Sequence, residues 1–273
     1  MAALEFPFLP EELAALLEFL QRCCVPLFGS GKYDGDLFGT GTFFSVNDRY
    51  YLVTAAHVLQ KIAPDKIRIP HGQSNVKAYG LGAVQVARTI ETGDLDFDVA
   101  IIRLTDEKTI SSLKTEWTFL GPQNIGNAQS TADWYFVAGY PHALVRQRAK
   151  RVHARLQAIL MQRLRNVPAE ATAPLDPYVD IFFEYGRRAF VADTPQEVET
   201  PDLAGVSGAS VWAVARPANY KGIWTAGSQA KIVAIQSAAF HSKYIRAKNW
   251  AAVEAALKHI DPESSRFFEA EKT

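Results

Sequence analysis

The chain has 273 residues, with 29 Lys and Arg against 29 Asp and Glu, and so no formal net charge. That balance excludes a protein held on nucleic acid or acidic lipid by bulk charge alone. Hydrophobic residues make up 48% and charged ones 21%, which supports a large core and argues against wholesale disorder. No apolar run reaches the roughly 18 residues of a membrane-spanning helix.

At the N-terminus, Glu5, Glu11 and Glu12 all precede Arg22, the first basic side chain. A secretory signal begins with the opposite sign, so the expectation is a cytoplasmic protein that is not exported and has no membrane association. The two cysteines, Cys23 and Cys24, are adjacent, and a trans peptide holds neighbouring Cα atoms about 3.8 Å apart, short for a disulfide. Neither a disulfide framework nor a zinc site is expected, and no metal or cofactor is implied.

Pro10 at a helix start, Glu11 and Glu12 in its first turn, and Leu13, Leu16, Leu17 and Leu20 at helical spacing predict an amphipathic helix over 10–22. Its apolar stripe is expected to pack on the body of the protein. After glycines at 29, 31, 35, 39 and 41, residues 42–55 read as a hairpin that turns at Asn47-Asp48. Strand-like runs follow at 66–69, 83–90, 97–104, 134–140, 155–162, 178–185, 209–215 and 231–238. Many short strands with turn signals between them predict an all-β barrel or sandwich. Only the two ends read as helical, the second over 249–259 with Asn249 as cap. The weakest strand signal, 105–133, reads as a connection between domains.

Three local features carry chemistry. YLVTAAHV is an apolar strand running into His57, and DLDFDVAIIRL places Asp98 at the entry of the apolar run 99–102, where a carboxylate needs a partner. Asp94 and Asp96 read as solvated turn residues. LAGVSGASVWAV sets Ser207 in a glycine-bearing turn before a strand. Gly205 and Gly208 permit the tight backbone that points two amide N–H groups at one place, as an oxyanion site requires. In chain order the candidates are His57, Asp98 and Ser207, 41 and 109 residues apart.

TAAH at 54–57, DVAII at 98–102 and GVSGAS at 205–210 resemble the histidine, aspartate and nucleophile motifs of the chymotrypsin-like (trypsin-like) serine peptidases. The resemblance spans roughly 36–258. It implies two antiparallel Greek-key β-barrels with the active site between them, an added N-terminal helix and a C-terminal helix. The corresponding divisions are a helical extension at 1–28, a first barrel at 29–120 carrying His57 and Asp98, a second at 121–248 carrying Ser207, and a helix and tail at 249–273. The implied activity is a serine endopeptidase acting on polypeptides through an acyl-enzyme. A serine hydroxyl is a weak nucleophile, so His57 would take its proton and Asp98 would hold the imidazole, while the N–H groups of Gly205 and Ser207 bind the oxyanion.

The resemblance further implies that Pro201 and Asp202 line the primary pocket and that Ser237, Ala238 and Ala239 form an edge for a peptide, with Phe240 narrowing the pocket. Asp202 reads more readily as a solvated loop carboxylate. The chain departs from secreted members at Val206, where those carry an aspartate that pairs with a freshly cut N-terminus, so activity without N-terminal trimming is expected. Ala209 and Ser210 replace a glycine and a proline. Arg146, Arg148, Lys150, Arg151, Arg155, Arg163 and Arg165 lie in a stretch, Asp133 to Glu170, with no acid between its ends. They alternate with apolar residues and lack clustered aromatics, so a solvated hairpin face is expected rather than a nucleic-acid site. The competing reading is a catalytically silent fold that binds or regulates proteins. For an active enzyme, restraint by a regulatory partner, an occluded cleft or narrow specificity is expected. An α/β-hydrolase is disfavoured by chain order and few helices, and a metal hydrolase by the lack of paired histidine ligands.

Overall fold

The computed structural model describes residues 8–30, 35–70, 78–88, 97–127, 134–148, 151–194, 196–215, 225–240 and 242–263. Helix α1 spans Pro10–Cys23, one residue longer than the periodicity predicts. Glu12 Oε2 accepts the Leu9 N–H at 2.9 Å and satisfies one of the donors a helix start leaves open. Leu13, Leu16, Leu17 and Leu20 are all buried, so the apolar stripe is consumed inside the molecule.

Seven strands follow: β1 (Cys24–Phe28), β2 (Leu37–Val46), β3 (Arg49–Thr54), β4 (Arg68–Pro70), β5 (Ala78–Gly80), β6 (Val84–Arg88) and β7 (Ala100–Leu104). They form one sheet in the order β5-β4-β1-β2-β3-β7-β6, with every neighbouring pair antiparallel. The sheet therefore begins at Cys24, ahead of residue 29. At the β2–β3 turn, Asn47 and Asp48 have φ of 49° and 56°. Two successive left-handed residues twist the chain in the sense that antiparallel strands require, and Asn and Asp tolerate that conformation. A short helix α2 (Ala56–Lys61) follows β3 directly.

Between Thr105 and Asp133 the structure departs from the sequence reading, because helix α3 occupies Glu107–Glu116. Asp106 caps it by accepting the Lys108 and Thr109 N–H groups, while Ile110 and Leu113 bury one narrow face. With only two buried anchors on a polar segment, the helical period is weak. The expectation that helices stand only at the two ends is thereby corrected.

The second half contains β8 (Trp134–Gly139), β9 (Arg146–Arg148), β10 (Arg151–His153), β11 (Gln157–Met161), β12 (Asp180–Glu184), β13 (Arg188–Val191), β14 (Gln196–Glu199) and β15 (Ser210–Val214). Helix α4 (Ala226–Gln229), β16 (Ala230–Phe240), β17 (Tyr244–Asn249) and helix α5 (Trp250–Ile260) complete it. The second sheet has the order β12-β17-β16-β15-β8-β11-β13-β14, again antiparallel throughout, and β9 and β10 form a separate ribbon. The fold is thus mostly β, built on two antiparallel sheets with a few helices.

Apolar residues divide into three clusters. One lies on the first sheet around Phe43, Leu52 and Ile102, and another on the second around Val137, Val211 and Ile245. The third joins α1, both sheets and α5 through Leu16, Phe44, Phe136, Trp212 and Trp250. Asn249 caps α5, its side chain accepting the Ala252 N–H at 3.2 Å. Trp250 packs against Phe44 with ring centroids 5.5 Å apart. Just past α5, Asp261 accepts a hydrogen bond from Tyr51 Oη at 2.9 Å and pairs with Arg49 and Arg103, which fastens the end of α5 to the first sheet.

Candidate active site

β3 and β7 are antiparallel neighbours with Thr54 opposite Ala100, so the end of one and the start of the other leave the sheet at the same edge. His57 lies three residues beyond Thr54, and Asp98 two residues before Ala100. Asp98 Oδ1 accepts the His57 backbone N–H at 3.0 Å, and the ring Nδ1 stands 2.8 Å from Oδ2 and 3.1 Å from Oδ1. An ionised carboxylate only accepts, so this contact requires the proton on Nδ1 and leaves Nε2 as the basic nitrogen. The Asp98 carbonyl also accepts the Ala56 N–H at 3.2 Å. Asp98 has φ 39°, in the left-handed region. Backbone strain of this kind is held in place by the contacts around it, here three hydrogen bonds to the start of α2. Asp94 and Asp96 lie outside the described residues.

Ser207 sits in the turn that leads into β15. Gly205 and Gly208 flank that turn with φ of 91° and 84°. A Cβ on Gly205 would stand 2.6 Å from both His142 Cδ2 and the Tyr140 carbonyl oxygen. On Gly208 it would overlap Thr54 Oγ1 and the Thr40 carbonyl and lie 2.7 Å from Ala55 N. Both positions therefore need glycine for backbone conformation and for close approach. The Gly208 contact presses the serine turn onto Thr54 and Ala55, at the foot of the helix that carries His57.

The turn is held by hydrogen bonds that reach it from both sheets. Thr40 N donates to the Ser207 carbonyl at 2.8 Å, and Thr40 Oγ1 to the Gly205 carbonyl at 3.0 Å. Thr54 Oγ1 donates to the Thr40 carbonyl at 2.8 Å. Gly208 N donates to the Gln236 carbonyl at 2.9 Å, and His142 N to the Ala204 carbonyl at 2.8 Å. Threonines inside β-branched strands look ordinary, so Thr40 carried no signal of this role, and Thr54 entered only as part of the TAAH motif.

The amide directions follow from those bonds. In a trans peptide the C=O and N–H point to opposite sides. The Ala204 carbonyl is turned to His142 N and the Val206 carbonyl to Ala209 N. The N–H groups of Gly205 and Ser207 therefore face the other way, and among the described residues neither donates to a protein acceptor. Ser207 is part-exposed. The structure brings Asp98 to His57 and the serine turn to the foot of α2, and no hydrogen bond joins Ser207 Oγ to His57 among the described residues.

Among the residues expected to contact substrate, Asp202 is exposed, and its Oδ1 accepts the Ala204 N–H at 2.7 Å, which stiffens the turn before Gly205. Pro201 is part-buried, and its carbonyl accepts from Tyr185 Oη at 2.8 Å. Burial pushes the Tyr185 hydroxyl up to about 12, with the Asp202 charge adding to the effect. Along β16, pairing with β15 ends at Ile235, whereas pairing with β17 continues to Phe240. Ser237 Oγ donates to the Arg246 carbonyl at 3.3 Å. Ala238, Ala239 and Phe240 are exposed, and Phe240 stacks on Tyr244 with centroids 5.8 Å apart.

Both cysteines are buried and free. Burial pushes the Cys24 thiol up to about 12 and holds Cys23 well above its usual value, so neither supplies a thiolate at neutral pH. Among the described residues no group of three His, Cys, Asp or Glu could hold a metal ion, and no helix is long and apolar enough to cross a membrane.

No family model matches the chain, and no curated protein matches it. A solved structure, from work on aromatic interactions in the coupled folding and binding of the disordered Sesbania mosaic virus VPg protein, shares 12% identity over 85% of this chain and 87% of that one. Its TM-score is 0.45, a likeness too weak to assign a fold or an activity.

Proposed function

We propose that the protein is a serine endopeptidase of the chymotrypsin-like kind, acting on polypeptides in the cytoplasm, with Ser207, His57 and Asp98 as its catalytic groups. The observation that carries this reading is the two-point contact between Asp98 and His57 at the edge where Gly208 presses the serine turn onto Thr54. In the proposed reaction Ser207 Oγ attacks the scissile carbonyl as His57 Nε2 accepts its proton, and Asp98 stabilises the imidazolium that forms. The uncommitted N–H groups of Gly205 and Ser207 are suited to the developing oxyanion. His57 then donates its proton to the leaving amine, and water releases the acyl group by the same steps in reverse.

The same reading takes the two antiparallel sheets as two Greek-key β-barrels, with the site in the cleft between them. Residues 237–240 of β16, open along the edge beyond β15, would receive the peptide as an added strand. With one Asp202 oxygen already accepting from the Ala204 amide, a trypsin-like preference for basic side chains is not proposed. Restraint by a regulatory protein or by narrow specificity would keep such an enzyme from general proteolysis.

A fluorophosphonate probe tests this directly. The wild type should be labelled at Ser207, as located by peptide mass spectrometry, and Ser207→Ala should not be labelled. A folded wild type that takes up no probe would favour the silent, protein-binding alternative instead.

A further inference from the structure

β8 runs beside β15 with Ala138 opposite Ser210, so the chain leaving β8 passes the serine turn. Pro141 and His142 then open a tight turn. Leu144 N donates to the Pro141 carbonyl at 3.0 Å and Val145 N to the His142 carbonyl at 3.0 Å, which fixes the main chain at His142. The His142 N–H donates to the Ala204 carbonyl at 2.8 Å, while its ring Nε2 lies 2.6 Å from the Leu37 carbonyl. Leu37 opens β2 of the first sheet. A Cβ on Gly205 would stand 2.6 Å from His142 Cδ2 and 2.9 Å from Leu37 Cδ2. Gly205 is therefore boxed by the same two residues that the ring bond ties together. In the β9–β10 ribbon that follows, Lys150 and the side chains of Arg148 and Arg151 lie outside the described residues.

A peptide unit serves an oxyanion only while its N–H points into the site, and turning the unit over puts the carbonyl there instead. The bond from His142 N to the Ala204 carbonyl holds the Ala204–Gly205 unit against that rotation. On its other side the Gly205 carbonyl accepts from Thr40 Oγ1, which itself accepts the Tyr140 N–H at 3.1 Å. Any residue at 142 could supply the main-chain bond. What the imidazole adds is a tie from the turn to the first sheet, at the strand that leads to Thr40. A carbonyl oxygen only accepts, so this tie requires the proton on Nε2, the opposite tautomer from His57.

We infer that His142 is a positioning residue for the oxyanion site. Its ring, bonded to the Leu37 carbonyl, holds the turn so that the Gly205 N–H stays directed at the reacting carbonyl. This rests on the reading of Ser207 as the nucleophile and assigns no contact between His142 and substrate. The test compares full-length wild type with His142→Phe, which keeps a ring and removes the donor, and with His142→Gln, which returns an amide N–H at similar reach. With p-nitrophenyl acetate, H142F should lower kcat by about ten- to a hundredfold and leave KM within about twofold. Outright removal of an oxyanion donor, at roughly 10²–10³, sets the ceiling for that loss. The rate of fluorophosphonate labelling should fall with kcat, and H142Q should recover most of both. A loss caused only by loosened packing would not return with the donor. Should H142F show no cooperative melt, the imidazole ¹⁵N spectrum of Ser207→Ala at alkaline pH decides, with the His142 signal identified by its absence from the H142Q form. It should report the proton on Nε2. A folded H142F with kcat within about twofold of wild type, an H142Q no better than H142F, or a proton on Nδ1 overturns this inference alone. A folded wild type that neither takes up the probe nor cleaves the ester overturns the peptidase reading, and this inference with it.

Discussion

Asp98 holds His57 at two points, accepting the backbone N–H on Oδ1 at 3.0 Å and lying 2.8 Å from the ring Nδ1 through Oδ2. The backbone bond fixes where α2 starts, and the ring bond fixes which nitrogen stays free. Asp98→Asn keeps a side chain of the same size that tolerates φ 39° but presents an amide to the imidazole. The expected result is a fall of about 10⁴ in kcat, with only a small change in KM, by analogy with serine-protease triads. Steady-state hydrolysis of an activated ester, with thermal melting as the control for folding, measures it. A loss below tenfold would remove Asp98 from the proposed mechanism.

Gly208→Ala tests the close approach that brings the serine turn to α2. The left-handed backbone alone costs a non-glycine residue about 1–2 kcal/mol, and the overlap with Thr54 and Thr40 adds to that. Either the turn moves or the protein loses stability. Fluorophosphonate labelling should slow by at least tenfold, and the melting temperature should drop by several degrees. Unchanged labelling and melting would show that this contact does not position Ser207.

Asp261, just past α5, provides a pH-dependent link to the first sheet. Burial by itself would raise the Asp261 pKa, but hydrogen bonds from Arg49 and Tyr51 and the charges of Arg49 and Arg103 outweigh it, holding the carboxyl below its ordinary range. A carboxylate with a lowered folded-state pKa stabilises the fold above its unfolded pKa of about 3.9, and that stability is lost as pH falls through the lower folded value. Asp261→Asn should thus cost on the order of 1–3 kcal/mol at pH 7. Denaturant titrations should show the gap between wild type and variant closing below about pH 3.9. A gap that is constant with pH would mean that the effect is packing and not charge.

Val206 is 1% exposed and packs in the apolar cluster of the second sheet with Leu203 and Val211. A buried isopropyl group has nothing to offer a new N-terminal ammonium, so the serine turn is expected to be set without cleavage of the chain. Intact-mass analysis of probe-labelled protein should find no cut in the segment ahead of the first sheet. Introducing the charge by Val206→Asp should destabilise by several kcal/mol, because no partner awaits a carboxylate there. Recovery of label only on an N-terminally shortened species would contradict this.

Local pattern carried much of the architecture. The leucine spacing of 13, 16, 17 and 20, the Asn47-Asp48 turn and the apolar runs at 134–140, 209–215 and 231–238 all became the elements they suggested, because short-range sterics and burial periodicity act within a few residues. Helix α3 escaped, since Ile110 and Leu113 are its only buried anchors. Strands β13 and β14 escaped because they are short and, in β14, mainly exposed.

The chain order of His57, Asp98 and Ser207 and the glycines around the serine were legible in the residues themselves, since nucleophile, base and carboxylate are set by side-chain type. Which groups meet was decided in three dimensions. Gly208 touches Thr54 across more than 150 positions of sequence, and Thr40 reaches the Gly205 and Ser207 carbonyls from the first sheet. Asp98 turns back on His57 through a left-handed residue. Contacts of that range depend on strand register and on the packing of one sheet against the other. No window of local sequence contains that information, so the folded chain alone determined it.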